Sequence, residues 1–338
     1  MPDEQDETSH SAPSGIRFKG RLTKGCRTLL VALAVVLVVI IGFFYWVAAT
    51  LDPDIGISGL QARTVAYSAS YHLSWSPAVK SARVSSAHAS SGYGPIARVK
   101  ARLRDETSVD QAAELLASIH RKADSSQVPL SVTLSWRLNG TDISVNFSCD
   151  DSPDSIRATT QRELALVGKA KSVTRGDPDG SIYADYGTVD AVPASIAEPT
   201  GPDFYKTFTL NNWNVTYYPA QDDSYSNPPI TDLIAAARQA SPTGTIELSN
   251  GTLSITGLVT DERKGLTPEA AAPVVHAVNN CKAAGLTTLQ LNGKLQKGLS
   301  TDNDYWLTFT CNNGTWTPND DGSTGQDEAA ILNKAAEL

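Results

Sequence analysis

The sequence predicts an α+β protein: one N-terminal transmembrane helix, then two tandem two-layer α/β sandwiches, each running strand, strand, helix, strand, strand, helix. Three observations carry this reading. Residues 28–51 form an uncharged apolar run; apolar and polar residues alternate on either side of Asn-Gly pairs; and the order of elements recurs, ending alike in Phe147-Ser-Cys149 and Phe309-Thr-Cys311. An internal duplication follows from that recurrence.

The run 28–51, TLLVALAVVLVVIIGFFYWVAATL, would reach roughly 36 Å as a helix, enough to cross a ~30 Å hydrocarbon core. Arg17, Lys19, Arg21, Lys24 and Arg27 precede it, and residues 52–61 contain neither Lys nor Arg. The positive-inside rule therefore predicts a plasma-membrane protein with a cytoplasmic N-terminus and the bulk of the chain extracytoplasmic. Phe43, Phe44, Tyr45 and Trp46 mark the outer interface, where amphipathic rings favour the headgroup layer. A signal peptide cleaved after Ala49 is the competing reading; the apolar core is longer than a usual h-region and bulky aromatics crowd the cut. Residues 1–27 read as a disordered cytoplasmic tail, polar and without periodic apolar residues, in which Cys26 is a juxtamembrane thiol.

The net charge is −8, and the outer part is more acidic still, since the five cations before the apolar run lie outside it. That balance argues against a nucleic-acid partner. Hydrophobic residues make up 41% of the chain, enough for residues 52–338 to build two cores rather than a disordered stalk.

The first outer domain is assigned to 52–175. Its opening stretch 67–75 reads as part of a hairpin. In 96–104, Val99, Ala101 and Leu103 alternate with Arg98, Lys100, Arg102 and Arg104, the period of a half-buried strand. Thr107 or Ser108 caps a helix with Val109, Ala112, Leu116, Ile119 and Ala123 at helical spacing. A hairpin then turns at Asn139-Gly140. In the register set by a two-residue turn, Trp136 faces Ile143, Leu134 faces Val145, Val132 faces Phe147, Leu130 faces Cys149, and Arg137 faces Asp142. Pro153 opens a helix to about 169.

Residues 176–203, with four prolines, six acidic residues and no Lys or Arg, read as an interdomain linker. The second domain, 204–338, begins with a hairpin about Asn211-Asn212 and a helix over 229–240. A second Asn-Gly hairpin spans 244–257. Thr267-Pro268-Glu269 opens a helix with the stripe Ala271, Val274, Val278 and Cys281. Leu289 and Leu291 lie on one strand, Tyr305, Leu307, Phe309 and Cys311 on another, and a helix over 326–338 closes the unit. This layout resembles the BON-type α/β modules of bacterial envelope proteins and the single-pass envelope proteins of actinobacteria. The resemblance rests on element order, so it implies a location and no activity or site.

Among candidate sites, Cys281 and Cys311 reach the same end of the second sandwich, where they are either a disulfide in an oxidising compartment or two buried thiols. Cys149, with Lys122 or Ala123 where its counterpart has Cys281, is expected to stay unpaired. Arg98, Lys100, Arg102 and Arg104 form either an anion-contact strand or a solvated face paired with acids on neighbouring strands. Aspartates cluster at 177–180, 302–304 and 319–322 without EF-hand spacing, so they read as turns. His72, His88, His120 and His276 lack metal-ligand spacing, and no cofactor or metal is called. Five Asn-x-Ser/Thr triplets, at Asn139, Asn146, Asn214, Asn250 and Asn313, fit composition and turns.

Neither a Gly-x-Ser-x-Gly elbow nor a Ser-x-x-Lys tetrad is present. The sequence thus favours a non-catalytic, single-pass envelope protein whose outer domains bind a protein or wall polymer. An anchored extracytoplasmic hydrolase and a ligand-sensing ectodomain are the alternatives. Nothing in the sequence sets the oligomeric state.

Overall fold

The computed structural model describes residues 24–52, 54–90, 94–123, 128–148, 153–176, 180–198, 203–218, 226–258, 266–292, 306–319 and 326–338. The chain is α+β. The apolar run lies within helix α1 (Lys24–Leu51), whose segment Val31–Ala48 has a mean hydropathy of 2.8 and is not buried against the rest of the protein. By length and composition α1 can serve as a membrane anchor or a signal sequence. Lys24 to Arg27 already belong to this helix, which shortens the expected tail; residues 1–23 lie outside the described residues.

Helix α2 (Ile57–Ser74) follows, and then the elements interleave: β1 (Val79–Ser90), β2 (Gly94–Leu103), α3 (Val109–Ala123), β3 (Leu130–Leu138), β4 (Thr141–Ser148), α4 (Pro153–Glu163), β5 (Ser172–Arg175), β6 (Ile182–Val189), β7 (Phe204–Leu210), β8 (Trp213–Tyr217), α5 (Ile230–Ala237), β9 (Gly244–Ser249), β10 (Thr252–Thr256), α6 (Pro268–Ala277), β11 (Thr288–Asn292), β12 (Trp306–Asn312), β13 (Thr315–Pro318) and α7 (Gln326–Ala336). Among the described residues, thirteen strands form one sheet in sequence order. Seven neighbouring pairs are antiparallel. The other five are parallel.

The expected pair of separate, mainly antiparallel sandwiches is thus replaced by one mixed sheet. Its recurring unit is a hairpin followed by a crossover to a parallel strand, as in β1–β2, β3–β4, β5–β6, β7–β8 and β9–β10. Parallel neighbours need a long connection, and α3, α4, α5 and α6 supply four of the five; a 3-10 turn at Ala194–Ala197 supplies the β6–β7 step.

The expected linker 176–203 differs most. It carries β6, which pairs with β5 on one side and β7 on the other, and the 3-10 turn, with Ile182, Ala184, Tyr186 and Ile196 buried. Alternation inside β6 is obscured by the prolines of the segment, all of which lie outside the strand, and by its acids, of which Asp185 lies within it. The stretch 67–75 is also not a strand: it belongs to α2, because Ala62, Ala66, Ala69 and Leu73 recur at helical spacing and bury one face on the sheet. Strand β1 escaped sequence reading because register shifts at Val79/Ser81 and Val84/Ser86 break its alternation.

The hairpin registers follow from turn chemistry. Asn139-Gly140, Asn211-Asn212, Asn250-Gly251 and Asn313-Gly314 all have positive φ at both positions, as a type I′ turn requires. Trp136 faces Ile143, Leu134 faces Val145 and Arg137 faces Asp142, as the two-residue turn predicts; the Cys149 partner of Leu130 lies outside the described residues.

Two cores share the sheet on its helix-covered face. One joins α2, α3 and β1–β4, from Ala62 to Phe147; the other runs from Leu166 to Ala335. They meet at the short β4–β5 pair, Asp142 to Ser144 against Ser172 to Thr174. There Thr141 Oγ1 donates to the Ala170 carbonyl at 2.7 Å and accepts from Gly168 N at 2.8 Å, holding the crossover after α4 onto the sheet.

Candidate binding face of the sheet

Every strand that puts an apolar residue on the helices puts its neighbours on the opposite face, and no helix covers that face among the described residues. Its residues line up across strands. Register joins Ser81, Arg102, Ser135, Ser144, Thr174, Tyr183 and Tyr205 in one row over β1 to β7. A second row runs Arg137, Asp142, Ser172, Asp185, Thr207, Thr216, Glu247, Ser254, Gln290 and Thr308 over β3 to β12. Hydroxyls and amides bond across strands: Ser131 Oγ donates to Asn146 Oδ1 at 2.8 Å, Thr209 Oγ1 to Asn214 Oδ1 at 2.9 Å, and Ser254 Oγ to Gln290 Oε1 at 3.1 Å. The result is a broad hydroxyl- and amide-bearing surface with two special regions.

The first is the basic end. Arg98, Lys100 and Arg102 project from β2 on this face and are exposed. Register sets Lys100 between Arg83 and Thr133, Arg102 between Ser81 and Ser135, and Arg98 between Ser86 and Ser131. Neighbouring strand positions are therefore hydroxyls and a further cation. Arg104 is different: its Nε donates to the Pro77 carbonyl at 2.7 Å, so it ties down the chain before β1. Arg102 also lines an open, shallow depression with Ser135, Arg137, Asp142, Ser144, Ser172 and Thr174, in which Arg137 and Asp142 approach to 3.8 Å.

The second lies beside that depression in the same row. Tyr183 of β6 stacks on Tyr205 of β7 with ring centroids 4.6 Å apart and planes 15° apart, and Tyr218, just after β8, meets Tyr205 edge-on at 5.5 Å. Burial and, after it, the Glu247 carboxylate push the Tyr218 phenol up. Tyr183 is 38% exposed, so the platform offers ring surface to solvent. Sequence reading missed these tyrosines, because Tyr183 sits in the presumed linker; it also missed Arg83, on the strand whose bulges hid it.

On the core face, Lys206 of β7 is fully buried and donates to the carbonyls of Ser195 at 3.2 Å, Ile196 at 3.0 Å and Glu198. Three carbonyls match the three ammonium donors, which clamps the 3-10 turn against the sheet. Burial pulls Lys206 down to about 8, with Glu198 opposing and Lys169 assisting.

Cys281 and Cys311 are joined in a disulfide, with Cα atoms 5.9 Å apart. Cys281 lies beyond α6, which ends at Ala277, instead of on the helix as its spacing predicted; the bridge ties the segment after α6 to β12. Cys149 and the aspartates 177–179, 302–304 and 320–321 fall outside the described residues. Of the histidines, His72 Nε2 contacts Ser118 Oγ between α2 and α3, His276 Nδ1 donates to the Ala335 carbonyl, and His88 pairs with Ser86. His120 lies in α3, its side chain outside the described part of the structure. Among the described residues, no three His, Cys, Asp or Glu side chains converge on one point.

No protein-family model, curated protein or solved structure matches the chain. Fold and face together define an α+β protein with one N-terminal apolar helix and a wide, open-faced sheet.

Proposed function

We propose that the chain is a single-pass, non-catalytic protein of the cell envelope, anchored by α1 with the sheet outside the cytoplasm, and that the open sheet face binds an acidic wall polymer. One observation carries this reading: Arg102 of β2, the hydroxyl-lined depression and the tyrosine platform lie in order along one row of the uncovered face, with Lys100 and Arg98 on the next rows along β2. Cations attract carboxylate or phosphate groups, whereas ring faces take the apolar face of a sugar. The net charge of −8 works against general adsorption to anionic surfaces, so the attraction is local to this end of the face. The Cys281–Cys311 bridge supports an oxidising compartment. Envelope modules of BON type remain the likeness that the element order suggests.

Full-length protein in lipid nanodiscs is to be titrated with solubilised anionic wall polymer and with the same polymer after its acidic groups are neutralised. Binding should be salt-dependent and confined to the anionic form. Lys100→Gln with Arg102→Gln, and separately Tyr183→Ala, should each weaken it by about tenfold, or ~1.4 kcal/mol. Equal retention of both polymers, or variants that bind like wild type, would sink the proposal.

A further inference from the structure

Helix α2 buries Gly59, Ala62, Ala66, Ala69 and Leu73 against the sheet and presents Leu60, Tyr67, Tyr71 and Trp75 on its outer side. Trp75, just past its end, is 72% exposed and meets Tyr71 edge-on at 5.8 Å; Tyr67 and Tyr71 are 66% and 65% exposed. A helix facing water ordinarily carries charge on its outer side. This one has a single Lys, Arg, Asp or Glu, Arg63, whose guanidinium is held by Asp54.

Only residues 52–56 separate α1 from α2, so the start of α2 stays within roughly 20 Å of the end of α1. The joint is also fixed. Asp54 Oδ1 accepts from Ala89 N at 3.0 Å, which pins the joint to β1, and a Cβ on Gly59 would fall 1.9 Å from the Asp54 carbonyl, so the chain folds tightly over the helix start.

We infer that α2 lies on the outer leaflet, with Leu60, Tyr67, Tyr71 and Trp75 seated in the lipid headgroup layer. This rests on α1 being a retained anchor. Tyrosine and tryptophan favour that layer because one end of the ring is apolar and the other wet, and an interfacial helix sinks its apolar face ~5–10 Å into the headgroup and acyl boundary. The occupant is lipid because α1 holds this stripe at the bilayer, whereas neither a second copy nor a protein partner has a comparable claim on it. Since α2 packs on the helix-covered side of β1 and β2, the opposite, open face of those strands is turned away from the membrane, toward the wall.

The test uses full-length protein in nanodiscs made with lipids brominated near the headgroup end of the acyl chain. Subtracting the fluorescence of Trp75→Phe, and separately of Trp46→Phe, from wild type isolates each indole. Quenching of both components, with Trp75 losing about half its intensity, is the expected result. Quenching of Trp46 alone leaves the anchor standing and overturns the inference. If that unquenched Trp75 is also shielded from acrylamide, the stripe is covered by a second copy or another protein, which overturns it equally. Quenching of neither removes the anchor reading itself.

Discussion

Lys206 shows how one residue couples the sheet to solution conditions. Its folded-state pKa of about 8 lies below the ordinary 10.5, so between those values the unfolded chain binds a proton that the folded chain does not. Stability should therefore rise as pH climbs from about 8, by on the order of 1–2 kcal/mol by pH 10. Tyr217 works in the opposite sense: burial raises its phenol well above 10.0, the unfolded chain ionises first, and stability falls above that pH. Urea unfolding from pH 7 to 11 should thus give a rise and then a decline. Lys206→Met should lower stability throughout, by leaving three carbonyls without their donor, and should abolish the rise; persistence of the rise in that variant would assign it to another group. The residue itself was visible in the sequence, but its burial was not, because Lys206 occupies an apolar position of an otherwise regular alternation, Phe204, Phe208 and Leu210.

At the scale of elements, the Cys281–Cys311 bridge closes a loop with sequence separation 30 around β11 and the chain leading to β12. Constraining such a loop in the unfolded chain stabilises by about 3–4 kcal/mol in the chain-entropy view. Replacing both cysteines by alanine should lower the unfolding free energy of the second core by that amount and leave the first core unchanged; site-resolved hydrogen exchange in α3 and α6 separates the two. Equal losses in both would show that the bridge acts on the whole sheet. The bridge was legible only as one of two alternatives, because spacing cannot decide whether two sulfurs at one end of a domain meet. The hairpins were more legible. Asn-Gly supplies two consecutive positive-φ positions, which fixes the register from the turn outward, and so the β3–β4 pairing could be written residue by residue. Helix α6 was drawn too long because Val278 and Cys281 continue its apolar spacing after the backbone has turned.

Over the whole molecule, one sheet serves two cores, and the seam between them is the short β4–β5 pair. Few ladder bonds and a change of core on either side make it the place where the sheet should open first. Amides of Ser144 and Val173 should exchange before those of Val99 in β2 or Thr207 in β7, measured on the intact chain by hydrogen exchange. Uniform protection across the seam would mean that the cores unfold as one unit. The sequence alone determined the apolar helix, the hairpins and the helical stripes, because periodicity and turn chemistry are local properties. It also placed Arg98, Lys100 and Arg102 on one strand face. Only the tertiary structure decided that strands from both halves join edge to edge, that the supposed linker is a strand between them, and that the tyrosines of three neighbouring segments meet in line with Arg102, across the depression over β3 to β5. Such joins are made by backbone hydrogen bonds between residues far apart in sequence, and these leave no mark on composition or spacing.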